Sequence, residues 1–236
     1  MIRHITYATK EYETSAMLAY ESSLKYGCDQ SAIFNPDLID STFWGFNMDI
    51  FEHERGAGYW LWKPYFILIN LLQMEEGNYL VYTDAGVQVV DDVNHIISKM
   101  KVDVFLFANQ YNHEHWCKGN VTDHICGFRK EWNQVQASAM VFRVSGYSRR
   151  FVREWLAYCQ VPGFIDDSEG YNNHPEFREH RHDQAVLTCV AFRNGIPLHW
   201  WPATYNDGMF NYPKQNFNDE YPVIFHHHRK RNDEWV

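Results

Sequence analysis

The sequence predicts a single-domain α/β fold, Rossmann-like, with a mixed, mostly parallel sheet flanked by helices. Three observations lead there. Strand-like and helix-like stretches alternate from the outset: Ile2 to Ala8, Glu11 to Tyr26, Ser31 to Phe34, the order of a parallel β-α-β unit. The run Tyr79 to Tyr82 is apolar, aromatic and β-branched on both alternating sides, as in a strand covered on both faces. No repeat, low-complexity linker or composition break divides the 236 residues, so residues 1–236 read as one domain, with a first half over about 1–110 and a more irregular second half over about 111–236.

Each element has its own warrant. In the first helix Tyr12, Ala16, Ala19 and Leu24 are spaced for one buried face, and Gly27 ends it. Asp40 to His53 reads as irregular. A helix from Leu61 to Met74 has Pro64 in its first turn and a stripe of Tyr65, Leu68, Ile69 and Leu72. Asp91-Asp92 would cap a helix reaching Met100. Asp103 to Ala108 and Ala137 to Arg143 read as strands. Tyr111 to Lys130 reads as a loop-like insertion, and Gly146 to Cys159 as an amphipathic helix with Phe151, Val152, Trp155, Leu156 and Cys159 inward. Val161 to His180 is a long polar loop of the kind that forms lids. Asp183 to Phe192 reads as a helix, Pro197 to Trp201 as a strand, Met209 to Tyr221 as an open loop, and Pro222 to Phe225 as a last strand.

Composition narrows the function. A formal charge of −9 excludes a general nucleic-acid or anionic-membrane binder, which needs a basic face. Five cysteines at irregular spacing read as reduced thiols and point to a cytoplasmic setting. No apolar run reaches membrane-spanning length. Abundant Trp and Tyr suit a site where rings stack on sugars or bases.

Chemistry-bearing residues gather in four places. Asp84 follows the central strand directly, where open α/β sheets place ligands, and the small Ala85 and Gly86 let a ligand approach the backbone. Asp183 and Gln184 open a later helix, where a carboxylate could serve as general base or only as a cap. His226, His227 and His228 precede Arg229, Lys230 and Arg231, offering imidazoles for a metal and cations for phosphates. His113, His115, Cys117, His124 and Cys126 have zinc-ligand chemistry but match no standard finger spacing.

Taken in order, Tyr59, Trp60, Trp62 and Lys63, then Tyr82-Thr83-Asp84-Ala85-Gly86, then Asp183-Gln184, then His226 or His227 with the basic tail, resemble the GT-A-fold glycosyltransferases. The likeness is to those related to glycogenin and the lipopolysaccharide galactosyltransferases, and to small surface-glycan glycosyltransferases of bacteria and large DNA viruses. The resemblance implies a nucleoside-diphosphate sugar as donor and a glycan hydroxyl as acceptor. It implies donor contacts from Tyr59, Trp62, Lys63, Tyr82, Thr83, Asp84, Ala85, Gly86, Arg229 and Arg231, with Asp183 and Gln184 facing the transferred sugar. A divalent cation, manganese or magnesium, would rest on Asp84 with His226 or His227. Aromatic residues Trp200, Trp201, Tyr205, Phe210 and Tyr212 would form the acceptor side. One position departs: the second aspartate of the family's D-x-D motif is Gly86, so Asp91 or Asp92 would have to substitute, or cations would replace the metal, or metal binding would be weak. A non-catalytic binding protein on the same scaffold, and a metal-dependent hydrolase built on the His113–Cys126 cluster, are the alternatives.

Overall fold

The computed structural model describes residues 1–127, 132–206 and 217–235. In chain order its elements are β1 (Ile2–Tyr7), α1 (Glu13–Lys25), β2 (Gln30–Phe34), α2 (Ser41–Phe46), α3 (Met48–Phe51), the single turn α4 (Gly56–Tyr59) and α5 (Trp62–Gln73). Next come β3 (Tyr79–Thr83), β4 (Val87–Val89), α6 (Asn94–Ile97), β5 (Val104–Asn112), α7 (Gly119–Cys126) and β6 (Asn133–Arg143). The chain continues through α8 (Gly146–Cys159), α9 (His182–Arg193), β7 (Leu198–His199), β8 (Ala203–Tyr205) and β9 (Phe225–His227).

The main sheet has the order β2-β1-β3-β6-β5-β7. β1 runs parallel to both β2 and β3, and β7 parallel to β5, while β6 is antiparallel to its two neighbours. One reversed strand in six makes the sheet mixed and mostly parallel, as predicted. A smaller sheet, β4-β9-β8, is antiparallel at β4–β9 and parallel at β8–β9. The chain leaves β1 toward β2 on one side and resumes at β3 on the other. The crevice beyond Tyr7 and Thr83 is therefore the topological switch point where such sheets bind ligands.

Alternation along the central strands builds two cores. Leu80, Tyr82, Val104, Leu106, Met140 and Phe142 face α5, α8 and α9. Val81, Phe105, Phe107, Ala139 and Val141 face the second sheet with Trp201 and Phe225. Of the helices, α8 follows its sequence signal most closely: Ser145 accepts from Ser148 N, Ser148 returns the bond, and the five predicted apolar residues are buried. Such a reciprocal cap stabilises a helix start by about 1 kcal/mol.

Elsewhere the structure corrects the reading. Asp40 to His53 is not irregular but forms α2 and α3, because Asp40 Oδ1 accepts from Thr42 N and Phe43 N and starts a helix. The 111–130 insertion contains the turn His113–His115 and α7. The expected helix to Met100 shrinks to α6. Leu24 and Leu72 are exposed, and the inward positions are Ser22, Ser23 and Leu71. The two serines pack because their hydroxyls donate to Ala19 O and Tyr20 O within the helix. The last strand begins three residues later than predicted and runs into the histidines. Phe210 and Tyr212, and most of the predicted 209–221 loop, lie outside the described residues.

Candidate active site

Three elements converge at the carboxyl end of β3. Lys63, in the first turn of α5, is buried, and three oxygens surround its Nζ. Ala137 O accepts a hydrogen bond at 3.2 Å, and Asp84 Oδ1 and Asp183 Oδ2 each form an ion pair at 3.1 Å. Tyr82 donates its hydroxyl to the same Asp84 oxygen. Asp84 N donates to Ser138 O, which fixes the residue to β6 where β3 ends. Asp84 keeps about a third of its side chain exposed, whereas Asp183 is almost wholly covered. The carboxylates are thus an outer and an inner group on one ammonium.

The electrostatics follow from burial. Desolvation alone would lower the Lys63 pKa, but Asp183 and Asp84 outweigh it and the pKa is raised. Desolvation pushes Asp183 up to about 6, against the pull of Lys63 and helped by the charge of Asp84. Burial and the adjoining Asp84 raise the Tyr82 phenol well above its usual range, so it stays a donor. An ammonium has three protons and three oxygens already face this one. Lys63 therefore bridges the two carboxylates.

The backbone around this cluster is unusual. Gly56, Ala57, Gly58, Tyr59 and Trp60 all have positive φ, from 50° to 89°, so α4 is a left-handed turn. Left-handed turns cost about 1–2 kcal/mol for each residue bearing a Cβ. Here Trp62 Nε1 donates to Gly56 O, Gly58 packs against Phe51 and Ile50, and Tyr59 stacks on His182 with ring centroids 5.0 Å apart. His182 has positive φ as well, and its Nδ1 bonds Ile165 O at 2.7 Å. This anchored residue immediately precedes Asp183.

Other expected donor contacts are distributed differently. Trp62 is buried and stacks on Tyr7 at 3.7 Å. Thr83 is buried, with its hydroxyl 2.8 Å from His4 Nε2. Ala85 packs among Ala8 and Ala16. Trp62 and Thr83 therefore lie in the floor of the crevice. Gln184 is likewise occupied: its Nε2 donates to Gln134 Oε1 at 2.7 Å, and its Oε1 accepts from Ala137 N at 3.3 Å. Trp200 and Trp201, expected on the acceptor side, are buried in the second core, where Trp201 Nε1 donates to Tyr205 OH. Tyr205 lies under the Arg229 guanidinium, 5.7 Å from its centroid. Arg231 is at the rim, its Nε 3.1 Å from Tyr12 OH.

Gly86 explains its own departure from the D-x-D pattern. Its carbonyl accepts from His228 N and Arg229 N, and a Cβ built there would lie 3.1 Å from Arg229 Cα. The backbone after β9 occupies the space that an aspartate side chain would need. Neither Asp91 nor Asp92 takes over. Asp92 Oδ1 accepts from Asn94 N at the start of α6 and lies against Gly27, at the opposite end of the parallel strands, and Asp91 Oδ1 accepts from Asp92 N. Of the tail histidines, His226 engages Thr204 Oγ1 and Asn206 Oδ1 through its two ring nitrogens. His227 points the other way and is buried, and its Nδ1 has no hydrogen bond among the described residues. Burial, then the charge of Arg229, push its pKa down to about 4, so it is a neutral imidazole at pH 7.

The long loop 161–181 is clamped. Lys118, buried, reaches Asp166 O and Oδ1 and Ser168 O and Oγ within 3.3 Å. Asp167 meets Arg55 at 2.9 Å. Lys118 and His182 gave no sequence signal of these roles; they became legible only through contacts between distant segments.

No protein-family model matches the chain, and no curated protein matches it in sequence. Solved structures do. The galactosyltransferase LgtC, in complex with donor and acceptor sugar analogs, superposes with a TM-score of 0.57 at 12% identity, covering 97% of this chain and 87% of LgtC. This is the GT-A glycosyltransferase fold. Mouse xyloside xylosyltransferase 1 gives a TM-score of 0.52 at 9% identity, covering 97% of both chains. The bifunctional glycosyltransferase WbbM gives 0.58 at 10% identity, and this chain spans 46% of it. At such identities the GT-A likeness is one of architecture. Among the described residues no helix is long and apolar enough to cross a membrane.

Proposed function

We propose that the protein transfers a sugar from a nucleoside-diphosphate sugar to a hydroxyl of a glycan acceptor. The observation that carries this reading is the convergence of Asp84 and Asp183 on buried Lys63 at the switch point of a GT-A sheet. Asp84, the outer carboxylate, faces the nucleotide end of the donor. Asp183, the inner one, faces the sugar being transferred. A carboxyl pushed up to about 6 is poised to take the proton of an attacking hydroxyl near neutral pH. Lys63 holds both carboxylates in place and lets the inner one ionise. Arg229 and Arg231 bring positive charge to the rim, where a leaving diphosphate needs neutralising.

A glutamine-to-glutamate change has been made as an active-site mutant of LgtC. In this chain Gln184, beside Asp183, holds α9 against β6. The donors present suit a divalent cation only partly. Asp84 and neutral His227 would hold it, with diphosphate oxygens completing the shell, and it would neutralise the leaving group. Gly86 contributes nothing to that shell. The same feature favours a second reading, a protein that binds nucleotide sugars without turning them over.

The test is a transfer and donor-hydrolysis assay across UDP-, GDP-, CDP- and dTDP-sugars, with and without manganese, paired with thermal shift against the four diphosphates. One diphosphate should raise Tm by mass action, and turnover of its sugar should fall at least about 100-fold in Asp183→Asn with the shift retained. A shift without turnover in the unmodified chain selects the binding protein. No shift with any diphosphate overturns both readings.

A further inference from the structure

Away from this site, four donors meet in the closed interior between α7, α9 and the end of β5. They are His113 Nε2, Cys117 Sγ, Cys189 Sγ and Thr122 Oγ1, and their residues are at most 2% exposed. His113 Nε2 lies 3.3 Å from Cys189 Sγ, and the two sulfurs are 4.0 Å apart. Thr122 Oγ1 is 3.4 Å from His113 Nε2, 3.4 Å from Cys117 Sγ and 4.0 Å from Cys189 Sγ. The imidazole and the two sulfurs alone bring their ligand atoms within 4.8 Å of one another.

We propose that His113, Cys117 and Cys189 form a structural zinc site, with Thr122 closing the fourth side. Tetrahedral zinc, with bonds of about 2.3 Å to sulfur and about 2.0–2.1 Å to nitrogen or oxygen, sets its donors about 3.3–3.8 Å apart. The observed separations scatter around that edge, and a point equidistant from corners so spaced lies about 2.0–2.4 Å from each, which is bond length. Two thiolates neutralise the dication and the imidazole adds no charge, so the loaded site is neutral where an isolated ion could not be buried. The sulfurs are too far apart for a disulfide, whose bond is about 2.0 Å.

The ligand set differs from the one the sequence suggested. His115 turns outward to Glu176 at 3.0 Å, His124 packs edge-on to Phe164, and the Cys126 thiol faces Cys189 O. Cys189 replaces them from 63 residues beyond Cys126, on the face of α9 that packs against α7. Because its donors are closed off from solvent, the site has no open position for substrate and is no hydrolase centre. Its effect is to staple α7 to the helix that carries Asp183 and Gln184.

The experiment measures metal by emission spectroscopy in the full chain purified without chelator, then replaces it with cobalt(II). Expected are one zinc per chain, a cobalt spectrum with tetrahedral d–d and thiolate charge-transfer bands, and loss of both in Cys117→Ser and Cys189→Ser. Cys28→Ser, a buried cysteine elsewhere, and His174→Ala, in a half-buried His/Glu group, should keep full stoichiometry. Metal-free protein, metal that survives Cys189→Ser, or metal lost with His174→Ala overturns the proposal. If the serine variants do not fold, the wild-type cobalt spectrum decides: without thiolate charge transfer the site is not this one.

Discussion

At the scale of single residues, Lys63 organises the site. Replacing it with Met leaves two carboxylates facing each other in a covered pocket with no counter-charge. Removal of one partner from such a buried group costs about 3–5 kcal/mol, so Lys63→Met should lower the unfolding free energy from denaturant titration by that order. Asp183 should then titrate above its present value of about 6, and transfer should be lost. An acid limb in kcat near pH 6 is the companion expectation. Asp183 must shed its proton to act as a base, so activity should fall as pH drops through that value, and a flat profile down to pH 5 would remove the base from Asp183. Asp84 and Asp183 were legible as candidates, because a carboxylate at a strand end and one opening a helix are local signals. Their meeting on one ammonium was not legible, since it joins residues 63, 84 and 183 across the fold.

At the scale of elements, the left-handed turn at 56–60 makes an inverted forecast. Glycine inside a helix normally destabilises by about 0.5–1 kcal/mol relative to alanine. At Ala57, with φ 50°, Ala57→Gly relieves strain of comparable size, so its unfolding midpoint should match or exceed that of the unmodified chain. The left hand of this turn was not legible, because handedness depends on what Tyr59 and Trp62 pack against. Gly86 makes the opposite case. Gly86→Asp restores the D-x-D spelling but drives a side chain into the Arg229 backbone, so it should destabilise by about 1–3 kcal/mol and not raise activity with manganese. The helix α8 was legible to the residue because cap, stripe and length all agree within one segment. The stripes of α1 and α5 were misread because the first buries serines that bond within their own helix, and the second is covered on nearly every side.

At the scale of the whole molecule, buried histidines set the pH dependence of stability. Burial pushes His4 down to about 3, and His182, His227 and His228 to about 4, from 6.5. Between pH 4 and 6.5 the unfolded chain therefore binds more protons at these rings, and stability rises with pH. Asp183 has the opposite sign. Its folded pKa of about 6 exceeds the ordinary 3.8, so its contribution is present below 3.8 and lost as pH climbs through 6. Each shift of two or more units corresponds to about 3 kcal/mol, and four rings outweigh one carboxyl. Tm should be at least about 5 °C higher at pH 7 than at pH 5, and a Tm that falls over that interval would contradict the burial of the rings. The fold class was legible because β-α-β alternation and a doubly buried central strand are properties of order along the chain. The second sheet was not, since its strands are three residues long and come from three distant segments.

The clamp on Gly86 bears on how the protein is made. Asp84 and Lys63 emerge from the ribosome early, but the backbone that bonds Gly86 O is 228–229, so a nascent chain shorter than this carries its carboxylate beside an open strand end. The same late segment also ties back to the start of the chain, through Ser15 Oγ to Lys230 O and Thr14 N to Asn232 Oδ1. Domains generally fold as units during synthesis, and here residues 228 and 229 reach Gly86 only after the whole main sheet has been made. Ribosome-bound intermediates ending near residue 200 should therefore bind no diphosphate, however well their main sheet has formed.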